Sequence, residues 1–151
     1  MRKILIIFAI TLLTICFIIF LFYTKEKQEQ HQSIAPAVEI NDIIIPVELA
    51  DTPEKHIQGL SDKKELIGGM LFLFDNKKVR NFWMKNMNFP IDIIWIDNGK
   101  IVNISENLQP EGERPEKTYS SIYPVNYVLE VNAGFCEENN ILIGDKIKII
   151  N

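Results

Sequence analysis

The sequence predicts a mainly β protein: a small antiparallel barrel- or sandwich-like domain with one or two short helices, preceded by an N-terminal transmembrane helix. Three observations carry this. The chain opens on a long uncharged apolar run, continues after residue 38 as many short β-branched runs split by turn residues, and contains an Asn98-Gly99 hairpin signal.

Residues 4–23, ILIIFAITLLTICFIIFLFY, hold twenty positions without a charge. As a helix rising about 1.5 Å per residue they would cross the roughly 30 Å hydrocarbon core of a bilayer. A cleaved signal peptide has a shorter apolar region, about 7 to 15 residues, closed by small residues. Cys16 follows Ile15, where a lipoprotein cleavage site needs a small residue, so a retained anchor over 1–23 is the better reading. Arg2 and Lys3 precede the run, whereas Lys25 and Lys27 after it are interleaved with Glu26 and Glu29. The lysine and arginine counts tie, and the short N-terminal tail of a first span usually stays inside. The expectation is a single-pass protein of the cell membrane, with its C-terminal domain outside the cytoplasm.

Residues 24–37, TKEKQEQHQSIAPA, form a polar tether in which His31 is a solvated residue. The domain proper, 38–151, carries 12 Lys and Arg against 18 Asp and Glu, a net charge near −6. Nucleic-acid binders show a basic face, so that class of partner is excluded. Cys16 and Cys136 fall in the anchor and the domain and have no reason to pair.

Ile43 to Leu49 reads as a strand, with Pro46 marking an edge or bulge. DTPEKHIQGL is a compact helix: Thr52 caps it, Pro53 takes the first position, Glu54 suits the dipole and Gly59 ends it. GGMLFLF at 68–74 is a strand, followed by DNKK as a turn. RNFWMKNMNFPIDIIWID supplies two strands around Asn88-Phe89-Pro90. Alternation puts Phe82 and Met84 on one face and Trp83 and Lys85 on the other; further on, Ile91, Ile93 and Trp95 oppose Asp92, Ile94 and Ile96. A two-residue turn at Asn98-Gly99 sets Asp97 opposite Lys100, Ile96 opposite Ile101 and Trp95 opposite Val102. A polar loop over 108–118, a strand in YPVNYVLEVNAG, and two short strands in ILIGDKIKII complete the domain.

Three blocks, VELADTPEKHIQGL, then GGMLFLF with FWMKNMNFPIDIIWIDNGKIV, then YVLEVNAG with ILIGDKI, are similar in order and spacing to domain-of-unknown-function family 192. The resemblance implies a compact, mostly β domain, often exported or anchored, and implies no activity. Lys63 stands where the family commonly has arginine, and Met87 follows the Lys-Asn pair where threonine is frequent.

The catalytic inventory is thin. One domain histidine, His56, and one domain cysteine, Cys136, lie on different segments, too few for a nucleophile–base pair or a zinc site. No metal and no cofactor are expected. Carboxylates are the remaining catalytic option: Asp92 with Glu130 or Asp145, and also Glu48, sit in or beside apolar strands, where a close pair could hydrolyse an envelope glycan. The alternative is binding. Trp83, Lys85, Asn86 and Asp92 combine aromatic and polar groups as a site for a polar, ring-bearing ligand would. The leading expectation is therefore a non-catalytic module for an envelope glycan or protein partner. A hydrolase and an assembly or scaffolding factor are the alternatives.

Overall fold

The computed structural model describes residues 13–23 and 35–150. Contacts divide the chain into Met1–Ile34 and Ala35–Asn151. In the first unit residues 13–23 form a helix, α1. At about 1.5 Å per residue α1 covers roughly 16 Å. Among the described residues no helix is long and apolar enough to cross a membrane; residues 4–12 of the expected span, and His31 in the tether, lie outside the described residues.

The second unit contains nine strands and two short helices: β1 (Ala37–Ile40), β2 (Ile43–Ala50), α2 (Pro53–Gln58), β3 (Gly69–Lys78), β4 (Asn81–Phe82), β5 (Ile91–Asp97), β6 (Lys100–Leu108), β7 (Tyr119–Ser120), β8 (Val125–Asn132), α3 (Phe135–Glu138) and β9 (Ile147–Ile150). Seven strands make one sheet in the order β6-β5-β8-β3-β2-β1-β9, while β4 and β7 pair separately. The sheet curls until its two edges meet. Ile147 N–H donates to Gly99 O at 2.9 Å and Ile101 N–H to Asp145 O at 2.9 Å, bridging Lys100 to Lys146. The result is a half-barrel whose edges are stitched at one end.

Pairing is antiparallel except between β2 and β3. That exception arises because α2 and the loop after it carry the chain back along the sheet, the crossover a parallel pair requires. Thr52 caps α2 by accepting Lys55 N–H at 3.3 Å, and Gly59 ends it with φ 48°, as the residues predict. Two turns set the hairpins. Asn98 and Gly99 have φ 49° and 70°, and Asn41 and Asp42 have φ 48° and 66°, both central positions being positive as in a type I′ turn.

Four expectations are corrected. The strand expected to run on through Trp83 and Lys85 stops at Phe82, where β4 ends. Asp97 faces Lys100 and Ile96 faces Ile101, but a bulge puts Trp95 opposite Asn103 rather than Val102. DNKK is not a turn, because β3 runs on to Lys78. The chain closes with one strand, β9, since Leu142 to Gly144 form the corner that meets β6.

The sheet separates two cores. Val38, Val47, Leu71, Ile94, Ile101, Val131 and Ile147 come from all seven strands and fill the inside of the curl. On the outer face, Phe72, Ile91, Ile93, Trp95 and Val128 are covered by Leu60, Leu66, Met84 and Met87 from the segments between strands. Residues Ile91 to Ile96 are all buried, and alternate residues feed opposite cores, as the two apolar faces of that run imply.

Candidate functional site

The outer face is not sealed everywhere. Between α2 and the segment after β4 lies a cleft of about 210 Å³, lined by His56, Phe72, Asn81, Phe82, Trp83 and Glu130 among others. Each wall follows from local structure. α2 sets His56 against Phe74, ring centroids 4.5 Å apart, with Nε2 at 2.9 Å from Ala50 O. A carbonyl only accepts, so that nitrogen carries the proton and donates. Phe82 meets Phe72 edge-on at 4.9 Å and Trp95 at 5.4 Å. Trp83 stands half exposed at the rim, with the Lys85 ammonium 5.9 Å from its ring.

Glu130 forms the base of the cleft. It lies mid-strand in β8, opposite Met70 of β3 and Ile93 of β5, and only 5 % of it is exposed. Its Oε2 has no hydrogen-bond partner among the described residues. Burial among apolar neighbours penalises the charged form and pushes its pKa up to about 8. At neutral pH this side chain is an uncharged carboxylic acid facing a cavity.

Asp92 serves differently. It is fully buried at a bulge between β5 and β6. Its Oδ1 accepts the N–H of Asn107 at 2.8 Å and of Gly134 at 3.3 Å, and Oδ2 accepts Cys136 N–H at 3.0 Å. The carboxylate fastens β6 and the start of α3 to β5. It pairs in register with Val131, whereas Glu130 pairs with Ile93, so the two acids point to opposite faces of the sheet.

The four residues grouped by sequence as a ligand site therefore do not converge. Trp83 lines the cleft and Lys85 stands beside it; Asn86 is a backbone clamp; Asp92 is across the sheet. Asn86, at φ 52°, donates its N–H to Gly112 O at 2.8 Å and accepts from Asp62 N–H at 2.8 Å, tying two loops together. The four candidate catalytic acids share no cleft: Glu130 lines the one described above, and Asp92, Asp145 and Glu48 do not. Asp145 sits at the β6–β9 corner, where Leu142 N–H at 2.9 Å and the Asn41 side chain at 2.7 Å bind its carboxylate and hold its pKa below the usual value. Glu48 pairs with Lys63, whose Nζ lies 2.9 and 2.8 Å from its two oxygens, so lysine reaches both without arginine's fork. Burial, with Asp92 beside it, pushes the Cys136 thiol well up, which removes it as a nucleophile. Among the described residues no group of three His, Cys, Asp or Glu could hold a metal ion.

His56 is the cleft residue that the sequence does not mark as a binding group, because neither a Cys–His pair nor a zinc site can be built around it. Its position four residues after the Thr52 cap was the available signal.

Fold and cleft together define a small half-barrel β domain with a ligand-sized opening on its covered outer face. The chain belongs to the DUF192 family (Uncharacterized ACR), whose model matches residues 37–149. It is similar to the crystal structure of a Sinorhizobium meliloti 1021 protein provisionally described as a transcription regulator: 32% identity, TM-score 0.68, covering 76% of this chain and 91% of that one. It is also similar to a protein of unknown function from Novosphingobium aromaticivorans DSM 12444, at 29% identity and TM-score 0.68, covering 78% and 94%. No curated protein matches the chain significantly.

Proposed function

We propose that this protein is a non-catalytic binding module, held at the cell membrane by residues 4–23 with its domain outside the cytoplasm, that takes an envelope component into the cleft at Glu130. One observation carries the binding reading: a buried carboxyl with an unpartnered oxygen at the base of a cavity edged by a half-exposed tryptophan. A polar atom buried without a partner costs stability, and a ligand that supplies the missing bond would offset that cost. The anchor rests on the twenty uncharged residues of 4–23 and their length against a bilayer.

A glycan is favoured over a protein partner because the cleft is small and aromatic-edged. The hydrolase alternative has one supporting feature, the raised pKa of Glu130, but Glu130 is the only acid among the described residues lining the cleft. A glycosidase needs two carboxyl groups about 5 to 9 Å apart. The role provisionally given to the Sinorhizobium protein calls for a basic face, and the acid excess of residues 38–151 argues against it here.

Titrating the full-length chain with solubilised envelope glycan fragments tests the proposal through tryptophan fluorescence. Trp95 is fully buried and Trp83 is 51% exposed, so a saturable change is expected that disappears in Trp83→Phe. Calorimetry should show Trp83→Ala binding weakened about tenfold, the worth of one aromatic contact of roughly 1 to 1.5 kcal/mol. Unchanged affinity in Trp83→Ala would remove the cleft from the account.

A further inference from the structure

We infer that the cleft selects a sugar ring that offers an oxygen acceptor to the Glu130 carboxyl and carries no positive charge. The inference rests on the reading of this cleft as a ligand site and names what the site prefers.

The floor decides the polarity. Glu130 is flanked across the strands by Met70 and Ile93, neither of which can solvate a negative charge. Oε2 lies buried without a partner. A carboxyl in that setting keeps its proton and becomes a donor, and a donor selects an oxygen acceptor. The charged groups around it do not reverse this. α2 contributes His56, whose Nε2 is already spent on Ala50 O. β2 contributes Glu48, in register with Met70 of the same cross-strand row and neutralised by Lys63. The segment after β4 contributes Lys85 beside Trp83, a positive charge that disfavours a cationic ligand at the rim. β3 and β5 contribute no titratable group opposite Glu130.

The walls decide the shape. The exposed Trp83 ring presents flat apolar surface to the C–H face of a pyranose, as aromatic rings do, and the edge-on Phe72–Phe82 pair forms the apolar wall behind it. The cleft holds about 210 Å³, room for several waters and for a small ring.

The selection is also gated. Burial lifts the Glu130 pKa to about 8; above it the side chain can only accept, and it repels the oxygen it previously bound. Below it, the donor is present.

Two monosaccharides test this on the full-length chain by saturation-transfer NMR: N-acetylglucosamine, which is neutral, and glucosamine, whose amine is protonated at about pH 6. At that pH N-acetylglucosamine should bind at least tenfold tighter than glucosamine, and it should lose at least tenfold by about pH 10. Glu130→Ala should abolish binding. Glu130→Gln, which restores an N–H donor without a titrating proton, should recover it and flatten the pH profile. Preference for glucosamine, binding that strengthens with pH, or a Glu130→Gln chain as defective as Glu130→Ala would each overturn the inference. A chain that binds envelope fragments by fluorescence but neither monosaccharide loses the sugar-ring inference and keeps the binding reading; a chain that binds none of them loses both.

Discussion

Glu130→Gln is expected to stabilise the domain in mildly alkaline solution, and to do so progressively less as the pH falls toward 4.5. The Glu130 pKa is about 8 in the folded protein against an ordinary 4.5. Between those values the unfolded chain releases its proton and the native chain does not, so wild-type stability falls as pH rises. The penalty is absent below about 4.5 and complete above about 8. At about 1.36 kcal/mol per pKa unit it amounts to about 5 kcal/mol. Glutamine has nearly the same shape and does not titrate. Urea unfolding of wild type and variant across this range should therefore show a stability difference that grows with pH and then levels off. A difference independent of pH would mean that Glu130 is solvated and ionised in the folded state. This stored cost also agrees with a functional role, because an apolar residue at the same place would be the more stable choice.

Asp92→Ala is expected to be the most damaging single change among the candidate site residues. The substitution leaves three backbone N–H groups, of Asn107, Gly134 and Cys136, without their acceptor. A buried donor stripped of its partner costs about 1 to 3 kcal/mol; the Cys136 bond is buried and those of Asn107 and Gly134 part-buried, so a loss of roughly 3 to 5 kcal/mol follows, a large share of an ordinary domain's stability of about 5 to 15 kcal/mol. Asp92→Asn keeps the oxygen that holds two of these donors and should lose about 1 to 3 kcal/mol. Equilibrium unfolding of the two variants checks the ranking. If Asp92→Ala kept its melting temperature and lost only ligand binding, the carboxylate would be a ligand group and the fastening role assigned to it would fail.

The contrast between these two acids explains what could be read before the structure. Both sit in apolar strands, and sequence treats them alike. Period-2 alternation correctly sorted Ile91, Ile93 and Trp95 from Ile94 and Ile96, because side-chain direction is a local property of a strand. What Asp92 meets depends on a bulge in β6 and on the return of residues 134–136, contacts spanning up to 44 positions. No local rule supplies them. The α2 cap and the Asn98-Gly99 turn were legible because their chemistry is contained within a few residues. The Asn41-Asp42 turn carried the same kind of signal, two residues that tolerate positive φ, but β1 before it was too short to announce a hairpin.

The segment between Trp83 and Pro90 shows the opposite failure. Its aromatic and apolar residues read as a strand, yet β4 ends at Phe82. Met84 and Met87 turn inward onto the outer core while Trp83 and Lys85 remain outside. Asn86, in the left-handed region, breaks the extension between them. The sequence placed Trp83 and Lys85 side by side, and they are; it joined Asp92 to them by proximity along the chain, and the sheet separates them.

The central claim is that Glu130 is a neutral acid waiting at the base of a ligand cleft. Its carboxyl carbon, followed by NMR in a chain labelled with ¹³C-glutamate, reports this directly when titrated with and without N-acetylglucosamine. The expected result is a midpoint near 8 in the free protein that moves higher when the sugar binds, because a bond to the protonated form stabilises it. A midpoint near the ordinary 4.5, unmoved by sugar, would contradict it.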